Sequence, residues 1–226
     1  MRLIILWVSF FYAIISNLKK EKLKMILSPE QIENESMKII QGIIDEKNFR
    51  CPSENLSVIK RVIHATADFD FLDTLYFSDD VISKSREALR NGKPIITDTL
   101  MLASGITKKY NVKIICNVAD EKIKSEALEK NLTRSIINIE HAVKNFPDAI
   151  YAIGNAPTAL IRLCELISDG IAKPSLVVGV PVGFVNVIEA KNMLASLKDI
   201  PKIIAHGRKG GTTVACAIIN AILYGL

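Results

Sequence analysis

AIYAIGNAPTALIRLCELISDG, residues 149–170, is the stretch that decides the fold. Residues 149–153 are all apolar, so a strand formed there has no wet face and belongs inside a covered sheet. Gly154-Asn155-Ala156-Pro157 turns the chain, and proline suits the first position of a helix because it lacks an N–H that would go unpaired anyway. Apolar residues then recur at helical spacing to Ser168, and Gly170 is a stop. A buried strand that passes directly into a helix is half of a crossover unit between parallel strands.

The same grammar recurs on both sides. Downstream, SLVVGV (175–180) meets Pro181-Val182-Gly183-Phe184 and a helix from about Asn186. KIIA (202–205) meets His206-Gly207-Arg208-Lys209-Gly210-Gly211 and a last helix to about Tyr224. Upstream, DTLYF (73–77), PIIT (94–97) and VKIIC (112–116) are short strands. Between them Ser78 is expected to cap a helix to about Arg90 with Gly92 as its stop, residues 99–104 a short helix, and 120–145 one long helical stretch. Helices at 29–46 and 54–65 come first; Ser28, Pro29 and Gln31 form a capping box at the start of the former. Strands alternating with helices predict an α/β fold: a three-layer α/β/α domain with a mainly parallel sheet. With 226 residues and neither repeat nor linker, a single domain is expected.

The composition, 49% hydrophobic and 23% charged, is that of a folded chain. Its net charge is +5, but residues 1–24 hold five cations against Glu21, which leaves +1 for the remainder. A nucleic-acid binder carries its basic excess on the folded domain, so no nucleic-acid partner is expected. Cys51, Cys116, Cys164 and Cys216 show no zinc or redox spacing, and three of them sit in apolar stretches and read as core. A reducing, cytoplasmic location follows.

Residues 3–15 are almost wholly apolar and precede NLKKEKLK. Three readings are open: a signal peptide without a small-residue cleavage site, an anchor shorter than a membrane span, or a start placed ahead of a true one at Met25. The expected organisation is an extension, 1–24, and a domain, 25–226, with membrane contact only if the extension is retained.

Ligands of such sheets sit beyond the carboxyl ends of the strands. Three successive strands here end in Gly/Pro turns that open helices, and helix starts favour anions. One turn carries Arg208 and Lys209 and another Asn155, which makes these three candidate ligand contacts. HGRKGGTT (206–213) fails as a phosphate loop because its lysine precedes the glycine pair. No metal-ligand constellation and no serine elbow occurs. His64 lies in RVIHATADFDF (61–71), where a helix gives way to a loop. Arg61 is three positions earlier on the same face, and Asp68 and Asp70 are near enough to tune its charge. An imidazole titrates near neutrality, so it can give and recover a proton in one turnover. His141, on a charged helical stretch, is expected to face solvent.

Six collinear stretches add a resemblance: RVIHATADFDF (61–71), DTLMLASGI (98–106), TRS (133–135), AIGNAPTAL (152–160), GVPVGFVNVIEAK (179–191) and GRKGGTTVACAIINAI (207–222). Together they resemble the precorrin-8X methylmutase family, over about residues 29–224. The resemblance implies a homodimeric α/β/α enzyme of corrin biosynthesis that uses no cofactor. It implies a corrin-type tetrapyrrole substrate and a 1,5-shift of a methyl group from carbon 11 to carbon 12. The family's catalytic histidine falls on His64, and its substrate contacts on Arg61, Ser36 and Arg134. Glu33 and Glu35 stand where family members carry an aromatic residue and an arginine, and His206 where relatives often carry arginine. A tetrapyrrole carrier without chemistry and a nucleotide-binding α/β protein are the alternatives.

Overall fold

The computed structural model describes residues 28–226; the extension 1–24 and Met25, with the three readings given above, lie outside them. Helix α1 (Pro29–Glu46) starts at the expected capping box. The Ser28 hydroxyl accepts from the Gln31 N–H at 3.3 Å, and the Gln31 side chain accepts from the Ser28 N–H at 2.9 Å. This helix falls in a unit that ends at Asn48, and the rest of the fold in a second unit, 49–226.

The second unit begins with α2 (Ser53–Thr66), a helical turn α3 (Phe71–Thr74), β1 (Leu75–Phe77) and α4 (Val81–Arg90). Then come β2 (Ile95–Thr97), α5 (Leu100–Gly105), β3 (Ile114–Ile115), α6 (Glu121–Glu129) and α7 (Arg134–Asn145). Three strand-helix pairs finish it: β4 (Ile150–Ile153) with α8 (Pro157–Ser168), β5 (Leu176–Gly179) with α9 (Val187–Ser196), and β6 (Lys202–Ala205) with α10 (Thr212–Tyr224).

The six strands lie in the order β1-β6-β5-β4-β2-β3, parallel except for β1, which pairs antiparallel with β6. Every residue of β4, β5 and β6 is buried, as strands covered on both faces require. Tyr151, Ile153, Val177 and Ile204 point to one face, where they form a core with Ile139 and Val143 of α7, Leu160 and Leu163 of α8, and Leu194 of α9. Helix α10 covers the other face of β4 and β5 and packs against α2, α4 and α5. The three-layer architecture expected from the sequence is therefore present. Strand order reverses between β2 and β4, so their carboxyl ends diverge; ligand crevices of such sheets lie at that point.

Local expectations fail in four places. Ser78 does not cap α4: its hydroxyl accepts from the Lys202 N–H at 2.9 Å and ties β6 to the β1 connection, while left-handed Asp80 precedes the helix. The predicted strand 73–77 is half helical turn, because the Leu72, Asp73 and Thr74 amides bond back to Phe69 and Asp70. The predicted stretch 120–145 is two helices, broken where Asn131 turns left-handed and Thr133 caps α7. Of the three cysteines read as core, only Cys164 is buried; Cys116 and Cys216 are half-buried. Among the described residues, no helix is long and apolar enough to cross a membrane.

Candidate active site

The crevice at the strand-order reversal is occupied by the protein itself. Asp98 follows β2 directly and is fully buried. One carboxylate oxygen accepts from the Gly154 N–H at 3.2 Å; the other accepts from Asn155 at 2.7 Å and Ala156 at 2.8 Å. Burial raises the Asp98 carboxyl above its ordinary range, against the pull of these N–H donors. The expectation that this helix-opening turn offers its N–H groups to a ligand is thus corrected: an internal carboxylate already fills that role. Asn155 keeps an exposed side chain, but its backbone donor is taken.

The loop after β6 is built the opposite way. Lys191, on α9, is 1% exposed, and its ammonium donates to the carbonyls of Gly207 and Lys209, each at 2.8 Å. Burial pushes its pKa down to about 8. On the outer side, exposed Lys209 pairs with Asp68 at 2.7 Å and Asp70 at 2.5 Å. Those contacts raise the Lys209 pKa and lower that of Asp68. So the two acids expected to tune His64 instead hold Lys209, and Lys209 is not an unengaged cation. Gly210 has φ +155°, and a Cβ there would lie 2.3 Å from the Val180 carbonyl oxygen, so only glycine fits. Arg208 and His206 are exposed; the His206 ring lies 6.0 Å from that of Tyr76.

The Asp68–Lys209 pair brings the end of α2 to this loop. His64 sits in the last turn of α2 and is exposed. Arg61 and Ala65, on the same helical face, line a cleft of about 280 Å³ with Met101, Thr212, Cys216 and Asn220. The Arg61 guanidinium stands 5.1 Å from the centre of the Tyr224 ring. Asn220 closes the cleft floor: its amide donates to the Gly105 carbonyl at 3.1 Å and its oxygen accepts from Thr107 at 2.8 Å.

The turn at 154–156 adjoins the same region, since a Cβ on Gly154 would lie 2.9 Å from the Thr212 Cα. Beside it, the Thr133 and Thr158 hydroxyls are 3.3 Å apart, which sets exposed Arg134 at the starts of α7 and α8. Phe184 and Val185, after β5, are 87% and 76% exposed, and the Gly183 N–H donates to the Arg208 carbonyl at 3.3 Å. Ser36 lies on α1 in the first unit, where its hydroxyl donates back to the Ile32 carbonyl at 2.8 Å. His141, half-exposed, pairs with Glu126 at 2.6 Å, away from these groups. Sequence reasoning gave no role to Asp98 or Lys191. Each had one signal: a carboxylate directly after an apolar strand, and a lysine on an otherwise apolar helical face.

Exposed Arg134, Arg208 and His64 and the bare side chains of Phe184 and Val185 lie on loops and helix ends of an α/β protein with a mainly parallel sheet. The comparisons give the class its family. A family model described as precorrin-8X methylmutase matches residues 31–225, and the chain belongs to that family. It is 40% identical over 202 residues to a cobalt-precorrin-8 methylmutase of Priestia megaterium, covering 88% of each chain. With the cobalt-precorrin-8 methylmutase of Salmonella typhimurium it shares 41% identity over 210 residues, 89% of this chain and 97% of that one. A solved precorrin-8x methyl mutase from Thermus thermophilus superposes with a TM-score of 0.76 at 34% identity, covering 85% of this chain and 96% of the other.

Proposed function

We propose that the chain is an isomerase of corrin-ring biosynthesis, moving a methyl group from carbon 11 to carbon 12 of precorrin-8 or its cobalt form, with His64 as the acid/base. The observation that carries this reading is the position of His64. It is exposed at the end of α2, one helical turn from Arg61 in the cleft wall, on a helix end tied to the 206–211 loop.

The substrate class suits the edge. A corrin precursor is a broad apolar disc fringed with carboxylates. Phe184 and Val185 offer apolar surface to the disc. Arg61, Arg134 and Arg208 offer guanidinium forks, which pair with carboxylates through two parallel bonds. Asn155 and Lys209 complete the proposed contacts of this unit; Ser36, in the first unit, is a contact that the family resemblance alone implies. Lys209 reaches a substrate carboxylate only by giving up or sharing Asp68 and Asp70.

The reaction itself needs no nucleophile. The bond between the methyl and carbon 11 breaks as the bond to carbon 12 forms, so no atom enters or leaves. His64 gives a proton to the ring system, draws its electrons toward the rearranged isomer, and takes the proton back. Such acid/base help is worth about 10²–10⁴ in rate, and rigid positioning of the ring supplies much of the rest. The homodimer and the action without a cofactor implied by the family resemblance belong to this proposal, as does the cytoplasmic location read from the cysteines.

The test is His64→Ala. Conversion of precorrin-8X, followed by absorbance, is expected to fall by at least about 10², while titration with the product still reports binding. Near-wild-type conversion would remove His64 from the mechanism. Binding without conversion in the wild-type protein would point instead to a carrier.

A further inference from the structure

Lys191 is a buried charge that holds the 206–211 loop from behind. A lysine this deeply covered is costly unless hydrogen-bonded, and both of its bonds go to one loop, at the Gly207 and Lys209 carbonyls. That choice has a geometric consequence. In a trans peptide the C=O and the following N–H point in opposite directions, and the described chain contains no cis bond. Drawing the Gly207 and Lys209 oxygens inward therefore turns the N–H groups of Arg208 and Gly210 outward. No described residue accepts a hydrogen bond from either of them.

We propose, on the reading of the site given above, that Lys191 is a positioning residue for the corrin substrate: it sets the 206–211 loop so that the Arg208 and Gly210 N–H groups and the Arg208 side chain meet a carboxylate of the ring. Its charge also polarises both peptides in the sense that strengthens their outer donors. Lys191 touches no substrate atom and acts only through the loop. Asp68 and Asp70 hold the same loop from outside by way of Lys209, so the two sets of contacts clamp it between them.

Lys191→Met keeps an unbranched side chain, one atom shorter, and removes the ammonium that makes both bonds. Its KM for precorrin-8X and its Kd for hydrogenobyrinic acid are expected to rise about tenfold, the loss of roughly one charge-assisted bond, while kcat changes by less than about threefold. In an Arg208→Ala background the same substitution is expected to raise KM much less, because the two share one contact. A folded Lys191→Met protein with unchanged KM overturns the proposal. So does an equal rise in both backgrounds, which would mark a structural role alone. Should the variant not fold, the wild-type protein decides: the Lys191 Nζ resonance is expected to shift as hydrogenobyrinic acid is added, and an unmoved resonance refutes the proposal. Failure of the wild-type protein to convert precorrin-8X would count against the enzyme reading instead.

Discussion

The turn at 154–156 and the loop at 206–211 each follow a buried strand that opens a helix, β4 and β6 on either side of β5, yet they are finished with opposite charges. At 154–156 a buried carboxylate, Asp98, takes three N–H groups and closes the turn to any other anion. At 206–211 a buried ammonium, Lys191, takes two carbonyls and leaves outer N–H groups open. Glycine-rich sequence alone therefore does not say whether a helix start receives a ligand. At these two turns the buried side chain behind the backbone sets which of its groups stay open.

The sharpest way to break this contrast is to remove the internal anion. Asp98→Ala strands three N–H groups, that of Gly154 buried and those of Asn155 and Ala156 partly buried. An unsatisfied buried donor costs about 1–3 kcal/mol, so a loss of about that size is expected from urea denaturation. A loss below about 1 kcal/mol would mean that the turn holds its shape unaided.

Proton linkage tests the cation with a smaller effect. The Lys191 pKa is about 8, below the ordinary 10.5. Between those values the unfolded chain keeps a proton that the folded protein has released, so the lysine makes stability rise with pH across that window. The difference in stability between wild type and Lys191→Met should carry this slope; a flat difference contradicts it. The smallest effect belongs to the outer clamp. Lys209 pairs with Asp68 and Asp70 at an exposed position, where ion pairs add little. Lys209→Ala should leave the denaturation midpoint nearly unchanged, and a large drop would move the support of the loop from Lys191 to the surface.

Much of the fold was legible because strand and helix leave different marks. The run AIYAI (149–153), the turn residues 154–157 and the stop at Gly170 gave β4 and α8 to within a residue. The errors came where tertiary contacts overrule local preference. Ser78 is a good capping residue, but its hydroxyl is drawn to the Lys202 amide across the sheet edge. Helical propensity runs through 120–145, but Asn131 and Thr133 break it. For the proposed site, His64 and Arg61 could be named together because they share a helical face and a recognisable motif. Asp98 and Lys191 could be seen as residues but not as partners, since the backbone groups they bind lie 56 and 16 positions away or more.

The most direct test of the account is a crystal structure of the protein with hydrogenobyrinic acid bound. The ring is expected across the 206–211 loop, with a His64 ring nitrogen within hydrogen-bond reach of the macrocycle, roughly 3 Å, and a ring carboxylate on the outer N–H groups of Arg208 and Gly210. A ring seated elsewhere, with His64 facing only solvent, would contradict it.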